Sequence, residues 1–346
     1  MDRIQLAGLM NQQYLELFIL PTEQCNFRCT YCYEDFEIGQ MKENTVAAIR
    51  KLIGARLPTL RSFAISWFGG EPLMAKNTVF ELSQFAKEQC SAAGVRFVST
   101  MTTNAYGMDR ATFDRLIELD VRDYQISIDG DEDEHDKTRK LISGRATFSR
   151  IWANLLAMRG NQETFRVTLR LHIHQKNVAS IRELLPKMQQ AFGADPRFEI
   201  YLKAVGNWGG DSVKQMSLVK DSRAVIVELN QQLTDLGWHA ARAVPNNFHE
   251  IKTCYAARPN SFVIRADGSL AKCTVHFQDA RNRVGRLNDD GSLEIENEKM
   301  RAFMRGFQTL EPAALGCPMK DMPKAAQVSV VHFEKRPSQM QAALLD

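Results

Sequence analysis

The chain has 346 residues, of which 44% are apolar and 25% charged, and its formal net charge is +3. These are ordinary values for a folded globular protein, with room for one large α/β domain and a smaller one. They exclude a charge-driven nucleic-acid binder, no apolar run reaches membrane-spanning length, and MDRIQLAGLMNQQ lacks the basic-then-apolar order of a signal peptide. The seven cysteines are therefore expected in a reducing cytoplasm, where thiols serve metal binding, catalysis or packing.

Short apolar runs at 15–20, 63–68, 95–101, 123–128, 166–174 and 198–204 predict strands. Stretches near 43–57, 75–93, 109–120, 145–160, 177–191 and 217–237 carry apolar residues at helical spacing. This alternation predicts parallel βαβ units with right-handed crossovers, in a partial barrel, a full eight-fold barrel or an open sheet. In any of these, function gathers at the C-terminal ends of the strands.

The first strand leads into Cys25-Asn26-Phe27-Arg28-Cys29-Thr30-Tyr31-Cys32, with the spacing C-x3-C-x-Y-C. Such thiols could be zinc ligands, iron–sulfur ligands, a disulfide pair or buried small hydrophobes. Zinc normally wants four closed ligands, and no second knuckle or nearby His supplies the fourth. A disulfide would leave one thiol over. Three thiolates on one loop suit a four-iron cluster better, because they hold three irons and leave one open.

The second strand ends in Trp67-Phe68-Gly69-Gly70-Glu71-Pro72, where two glycines permit a sharp turn and close backbone approach. The third ends in Thr103-Asn104, a polar turn signal. The fourth ends in Ser127-Ile128-Asp129-Gly130, followed by His135-Asp136-Lys137-Thr138-Arg139. On the fifth, alternation puts Thr168, Arg170, His172 and His174 on one face. Arg170 is the candidate catalytic residue there, while His172 and His174 read as satisfied structural histidines. After the sixth, the run GNWGG at 206–210 is a flexible loop with one aromatic.

Together these motifs resemble the radical S-adenosylmethionine (SAM) enzymes, and S-x-D-G followed by H-D-x-x-R resembles those carrying a SPASM extension. The resemblance implies a partial (β/α)6 barrel over 1–240. It implies a [4Fe–4S] cluster on Cys25, Cys29 and Cys32. It implies SAM held through its amine at Gly69, Gly70 and Glu71, and through its carboxylate at Ser127 and Arg139. Asn104 is then expected at the barrel mouth in a cofactor or substrate role.

Residues 241–346 are expected to form a reduced SPASM-like domain. Asp267-Gly268 reads as a hairpin turn, and Gly268 stands four residues before Cys273. Cys254, Cys273 and Cys317 resemble the ligands of an auxiliary cluster, although a full SPASM domain carries seven cysteines and Lys320 stands where one would fall. Three thiols would hold at most one four-iron cluster. Cys90, alone on a helix, reads as core.

The resemblance implies a peptide maturase that crosslinks or otherwise modifies side chains of a ribosomally made precursor peptide, reduced by a flavodoxin or ferredoxin. The alternatives are a sulfatase-maturating, formylglycine-forming enzyme and a non-catalytic iron–sulfur scaffold. The sulfatase-maturating type has an Asp base directly after the Cys of G-x4-C, where this chain has Thr274. With twenty-four residues ahead of Cys25, peptide capture is expected to use the barrel, the C-terminal unit or a separate protein.

Overall fold

The computed structural model describes residues 9–206, 213, 216–238 and 253–323. In chain order the first strands are β1 (Tyr14–Ile19), β2 (Phe27–Cys29), β3 (Ser62–Trp67), β4 (Arg96–Thr103), β5 (Val121–Ile128), β6 (Arg139–Leu141), β7 (Arg166–Ile173) and β8 (Phe198–Ala204). Helices α1 (Glu43–Arg56), α2 (Lys76–Ala93), α3 (Arg110–Glu118), α4 (Glu132–Thr138), α5 (Phe148–Arg159), α6 (Val178–Phe192) and α7 (Ser222–Asp235) lie among and after them. Strands β1, β3, β4, β5, β7 and β8 pair in that order, every pair parallel. This is the six-stranded parallel sheet expected of the partial barrel.

Each strand buries the face its sequence makes apolar. On β7, Val167, Leu169, Leu171 and Ile173 are buried beneath the helices, while Thr168, Arg170 and His172 alternate with them on the half-buried inner face. Strand β8 repeats the pattern, with Phe198, Ile200 and Leu202 buried and Glu199, Tyr201 and Lys203 on the other face. Helix ends follow local chemistry. Gly94 ends α2 at φ +66°, a conformation glycine adopts without Cβ strain. Asp109 and Asp221 cap α3 and α7 by accepting from Thr112 N and Ala224 N, so these helices begin after the caps. Cys90 is buried within α2, as expected.

Two features depart from the sequence reading. Strands β2 and β6 form a separate antiparallel ribbon that pairs Cys29 with Arg139. The other departure concerns β9 (Ser261–Ile264), β10 (Ser269–Ala271), β11 (Arg283–Leu287) and β12 (Leu293–Ile295). They do not form a sheet of their own. Strand β9 pairs parallel with β1, from Glu16↔Ser261 to Ile19↔Ile264, and β10 to β12 extend the same sheet antiparallel. Strand β9 is fully buried, so it covers the edge that β1 would otherwise expose. Helices α8 (Asn297–Thr309) and α9 (Pro312–Gly316) follow.

The expected division near 240 and positions 207–210 of the glycine-rich loop lie outside the described residues. No helix among the described residues is long and apolar enough to cross a membrane.

Candidate cofactor and substrate site

The segment 25–32 follows β1 and crosses the C-terminal ends of the parallel strands. Its backbone is held from inside: Arg28 Nη1 donates to Cys25 O at 2.8 Å and Phe27 O at 2.7 Å, and Cys32 N donates to Cys29 O at 3.1 Å. Cys25 is buried, and Cys29 and Cys32 are half-buried. Burial pushes the Cys32 thiol up to about 12 and raises Cys25 and Cys29 as well. Cys25 and Cys32 are raised further by neighbouring thiols, which places the three close together. Such thiols become ligands only when a metal centre takes the place of their protons.

The glycine turn is welded to this segment. A Cβ on Gly69, whose φ is +117°, would lie 2.2 Å from Thr22 O, and one on Gly70 would lie 2.4 Å from Gln24 O. Gly70 N donates to Thr22 O at 3.3 Å and Glu71 N to Gln24 O at 3.0 Å. The Glu71 carboxylate is buried and already satisfied, accepting from Leu73 N (3.0 Å), Thr103 Oγ1 (2.7 Å) and Asn104 N (2.6 Å). Burial nevertheless pushes its carboxyl up. Asn104 in turn donates from Nδ2 to Asn26 Oδ1 at 2.8 Å. Glu71 therefore underpins the site, while Gly69, Gly70 and Asn104 face it.

Strand β5 and the β2–β6 ribbon bring in the SAM-carboxylate candidates. Ser127 is near the end of β5, and Arg139 is set beside Cys29 by the ribbon. Arg139 is buried rather than solvated; its Nη1 donates to Tyr31 OH at 2.6 Å and its Nε has no partner among the described residues. Tyr31 OH donates to Asp129 Oδ2 at 2.6 Å, and His172 Nδ1 lies 3.2 Å from Asp129 Oδ1. Burial raises the Asp129 carboxyl, but the His172 hydrogen bond and the Arg139 charge outweigh it and hold the acid well below its usual range. Burial pushes His172 down to about 4. The sequence reading gave no part to Asp129, yet it ties the cysteine segment to β5 and β7. The aromatic directly before the third cysteine was the available signal.

These groups line one cavity of about 460 Å³, within the size of small-molecule sites. Cys25, Cys29, Cys32, Gly69, Gly70, Asn104, Ser127, Arg139 and Arg170 all reach it. Lys203 from β8 and Tyr255, Thr274 and Val275 from the C-terminal segment complete the wall; of these only Thr274 was singled out in the sequence, at the position of the sulfatase-maturating base. His172 is satisfied as expected, but His174 is not. It follows the end of the strand, its buried Nε2 has no partner among the described residues, and with Cys29 and Cys32 it lines a second hollow of about 620 Å³.

The C-terminal thiols also converge. The Cys254 and Cys317 thiols raise Cys273, whose pKa burial pushes up to about 11, and Cys317 raises Cys254. Cys254 N donates to Leu315 O at 2.8 Å, tying the first of them to the turn that carries the third. Lys272 is fully buried beside them, its Nζ donating to Arg258 O at 2.5 Å and to Ser261 O.

Among the described residues no trio of His, Cys, Asp or Glu is arranged around a single metal ion. A four-iron cluster asks for something else: each thiolate holds a different iron, so its ligands stand wider apart than those of zinc. Both thiol trios fit that donor chemistry.

Residues 19–185 match the model of the Radical SAM superfamily. The chain is 23% identical over 322 residues to a serine-type anaerobic sulfatase-maturating enzyme of Klebsiella aerogenes, covering 85% of this chain and 77% of that one. It is 27% identical over 226 residues to the Fe-coproporphyrin III synthase of Methanosarcina barkeri, covering 63% and 52%. Among solved structures, anSMEcpe with bound AdoMet superposes with a TM-score of 0.64 at 17% identity, over 83% of each chain. Streptococcus suis SuiB bound to precursor peptide SuiA gives 0.56 at 16% identity, over 81% of this chain and 64% of that one. The chain therefore carries a radical SAM domain over residues 19–185, of the family whose enzymes pair a [4Fe–4S] cluster with SAM.

Proposed function

We propose that the chain is a peptide maturase that oxidatively crosslinks, or otherwise modifies, side chains of a ribosomally made precursor. The observation that carries this reading is the single cavity shared by Cys25, Cys29 and Cys32, by Ser127 and Arg139, and by Tyr255 and Thr274 of the C-terminal segment. Cofactor and substrate must meet in it. Structures of this fold have been solved with peptides bound, SuiA on SuiB and the Kp18Cys peptide on anSMEcpe.

In this reading Cys25, Cys29 and Cys32 hold the primary cluster, and Cys254, Cys273 and Cys317 one auxiliary cluster. Backbone at Gly69 and Gly70 receives the SAM amine. Ser127 and the Arg139 guanidinium receive its carboxylate in a charge-assisted pair. When bound, cluster and SAM supply a reductive cleavage that yields methionine and a 5′-deoxyadenosyl radical, which takes a hydrogen atom from an unactivated carbon. The chain's share is position and exclusion of water. A one-electron donor of the flavodoxin or ferredoxin type reduces the enzyme.

The sulfatase-maturating reading is favoured by the Klebsiella relative. Against it stands Thr274, whose Oγ1 lies 2.7 Å from Tyr255 OH and whose N–H donates to the same oxygen at 2.9 Å. The position therefore carries a hydroxyl pair where that chemistry needs a carboxylate base.

Co-expression with short precursors encoded beside the gene, followed by mass spectrometry, tests the proposal. Each ring closure removes two hydrogens from the peptide: one, deuterium when the attacked β-carbon is labelled, appears in 5′-deoxyadenosine, and the other leaves as a proton and an electron that a bound auxiliary cluster would accept. A product that has lost two hydrogens and reacts with an aldehyde reagent is formylglycine instead. Unchanged mass means epimerisation, and a gained oxygen or a small-molecule product removes crosslinking from consideration.

A further inference from the structure

The cavity wall holds two cations that no described residue neutralises. Arg170 and Lys203 lie on neighbouring parallel strands, with Arg170 opposite Tyr201 and His172 opposite Lys203. Alternation puts Arg170 and His172 on one face, so Lys203 shares that face one step further along. Both side chains line the cavity. Arg170 Nε is buried without a partner, and neither cation makes a hydrogen bond or ion pair with a described residue.

Neither carboxylate of the wall region pairs with them. Asp129 is taken by Tyr31, His172 and Thr138. Glu34, also on the wall, pairs with neither cation: its Oε1 is buried without a partner among the described residues, and its charged neighbours are Glu23, Arg265 and Asp35. Other arginines of this chain are matched: Arg197 pairs with Asp195, Arg265 with Glu23 and Arg281 with Asp279. A guanidinium left unpaired in a half-buried wall costs solvation that no described residue returns. Arg139 already supplies the fork for the SAM carboxylate, from the segment beside Cys29.

We propose that Arg170 and Lys203 are a carboxylate-recognition pair for the substrate, so that the modified residue is presented with an acidic group close to it. This rests on the peptide-maturase reading. The guanidinium offers a planar fork and the ammonium a mobile point charge, a combination suited to one carboxylate. That carboxylate is an Asp or Glu side chain of the precursor or its C-terminus.

The test uses the full chain, anaerobically reconstituted and supplied with SAM, and three fluorescently labelled pentapeptides. One is end-blocked with a central Glu, one is its Gln counterpart, and one is the Gln peptide with a free C-terminal carboxylate. Binding is read by anisotropy. At least one acidic peptide is expected to bind about ten-fold more tightly than the neutral one, the scale of a charge-assisted hydrogen bond, and which one does so identifies the source of the carboxylate. The double variant Arg170→Gln/Lys203→Gln should erase the preference. Should that variant be unstable, Lys203→Gln alone, at the end of its strand, should reduce the preference about three-fold. Equal binding of acidic and neutral peptides, or a preference that survives the substitutions, overturns the pair. Loss of SAM affinity in the double variant assigns the cations to the cofactor and overturns it too. Failure of every peptide to bind counts against the peptide-maturase reading itself.

Discussion

At the scale of single residues, the groups around the cysteine segment are held by buried polar contacts that fix their protonation. His135 is fully buried; Asp129 N donates to its Nδ1 at 3.3 Å, and its Nε2 lies 3.2 Å from Thr147 Oγ1. Both contacts are satisfied by the neutral ring with its proton on Nε2, since a protonated Nδ1 would face another donor. Burial pushes His135 down to about 4, from an ordinary value near 6.5. The folded state then binds fewer protons than the unfolded chain between those two values, so stability rises with pH across that window and is lost on acidification. Full protonation would cost on the order of 3 kcal/mol, at about 1.4 kcal/mol per pKa unit. Urea midpoints of the cluster-free protein should therefore fall between pH 6.5 and 4.5, and more steeply than those of His135→Gln. Parallel pH dependences would show that His135 does not carry the effect. The motif H-D-x-x-R put this histidine in view, but only the fold shows that it supports Asp129 from behind.

At the scale of elements, what the sequence reveals depends on how local the determinant is. Alternation along 198–204 is enough to define β8, and the six parallel strands with their helices are legible because each buries its own apolar face. The β2–β6 ribbon is not legible. Phe27–Cys29 and Arg139–Leu141 are three residues each and carry no periodicity; their pairing depends on the surrounding sheet. The same ribbon explains why Arg139 stands beside Cys29, which spacing along the chain could not show. Lys203 escaped notice for a related reason, since one lysine on a strand signals nothing until its neighbour Arg170 is known to lack a partner among the described residues. Pairing of β9 with β1 joins residues some 245 positions apart, as in Glu16↔Ser261, and no local pattern encodes it. It has a consequence for the division at 240. A chain cut to 1–240 would expose the edge of β1 and unpair Glu23 from Arg265, whose Nη2 lies 2.5 Å from Glu23 Oε2. It should be recovered in inclusion bodies or unfold well below the midpoint of the full chain. A monomeric 1–240 fragment with full-chain stability would show that the first segment folds without β9.

At the scale of the whole molecule, the first thiol trio and the residues next to the second share one wall. Cys25, Cys29 and Cys32 reach the cavity from the segment after β1, while Tyr255 and Thr274, each directly following a cysteine of the second trio, reach it from the C-terminal segment. The β1–β9 pair connects the two sides, so the sheet that positions the primary cluster also fixes where an auxiliary one would stand. Iron content separates two states of the second trio that the fold alone would accommodate equally, a ligand set or three packed thiols. With both clusters the anaerobically reconstituted protein should hold about eight irons, and the Cys25/Cys29/Cys32→Ala variant about four. The reciprocal Cys254/Cys273/Cys317→Ala variant should also hold about four, but it should differ in function. It should still cleave SAM to 5′-deoxyadenosine with dithionite, because the primary trio and the SAM contacts are intact, whereas the first variant should not. An iron-free first variant would mean that Cys254, Cys273 and Cys317 only pack the C-terminal turn. SAM cleavage by that variant would remove the primary assignment, and with it the chemistry read from the cavity.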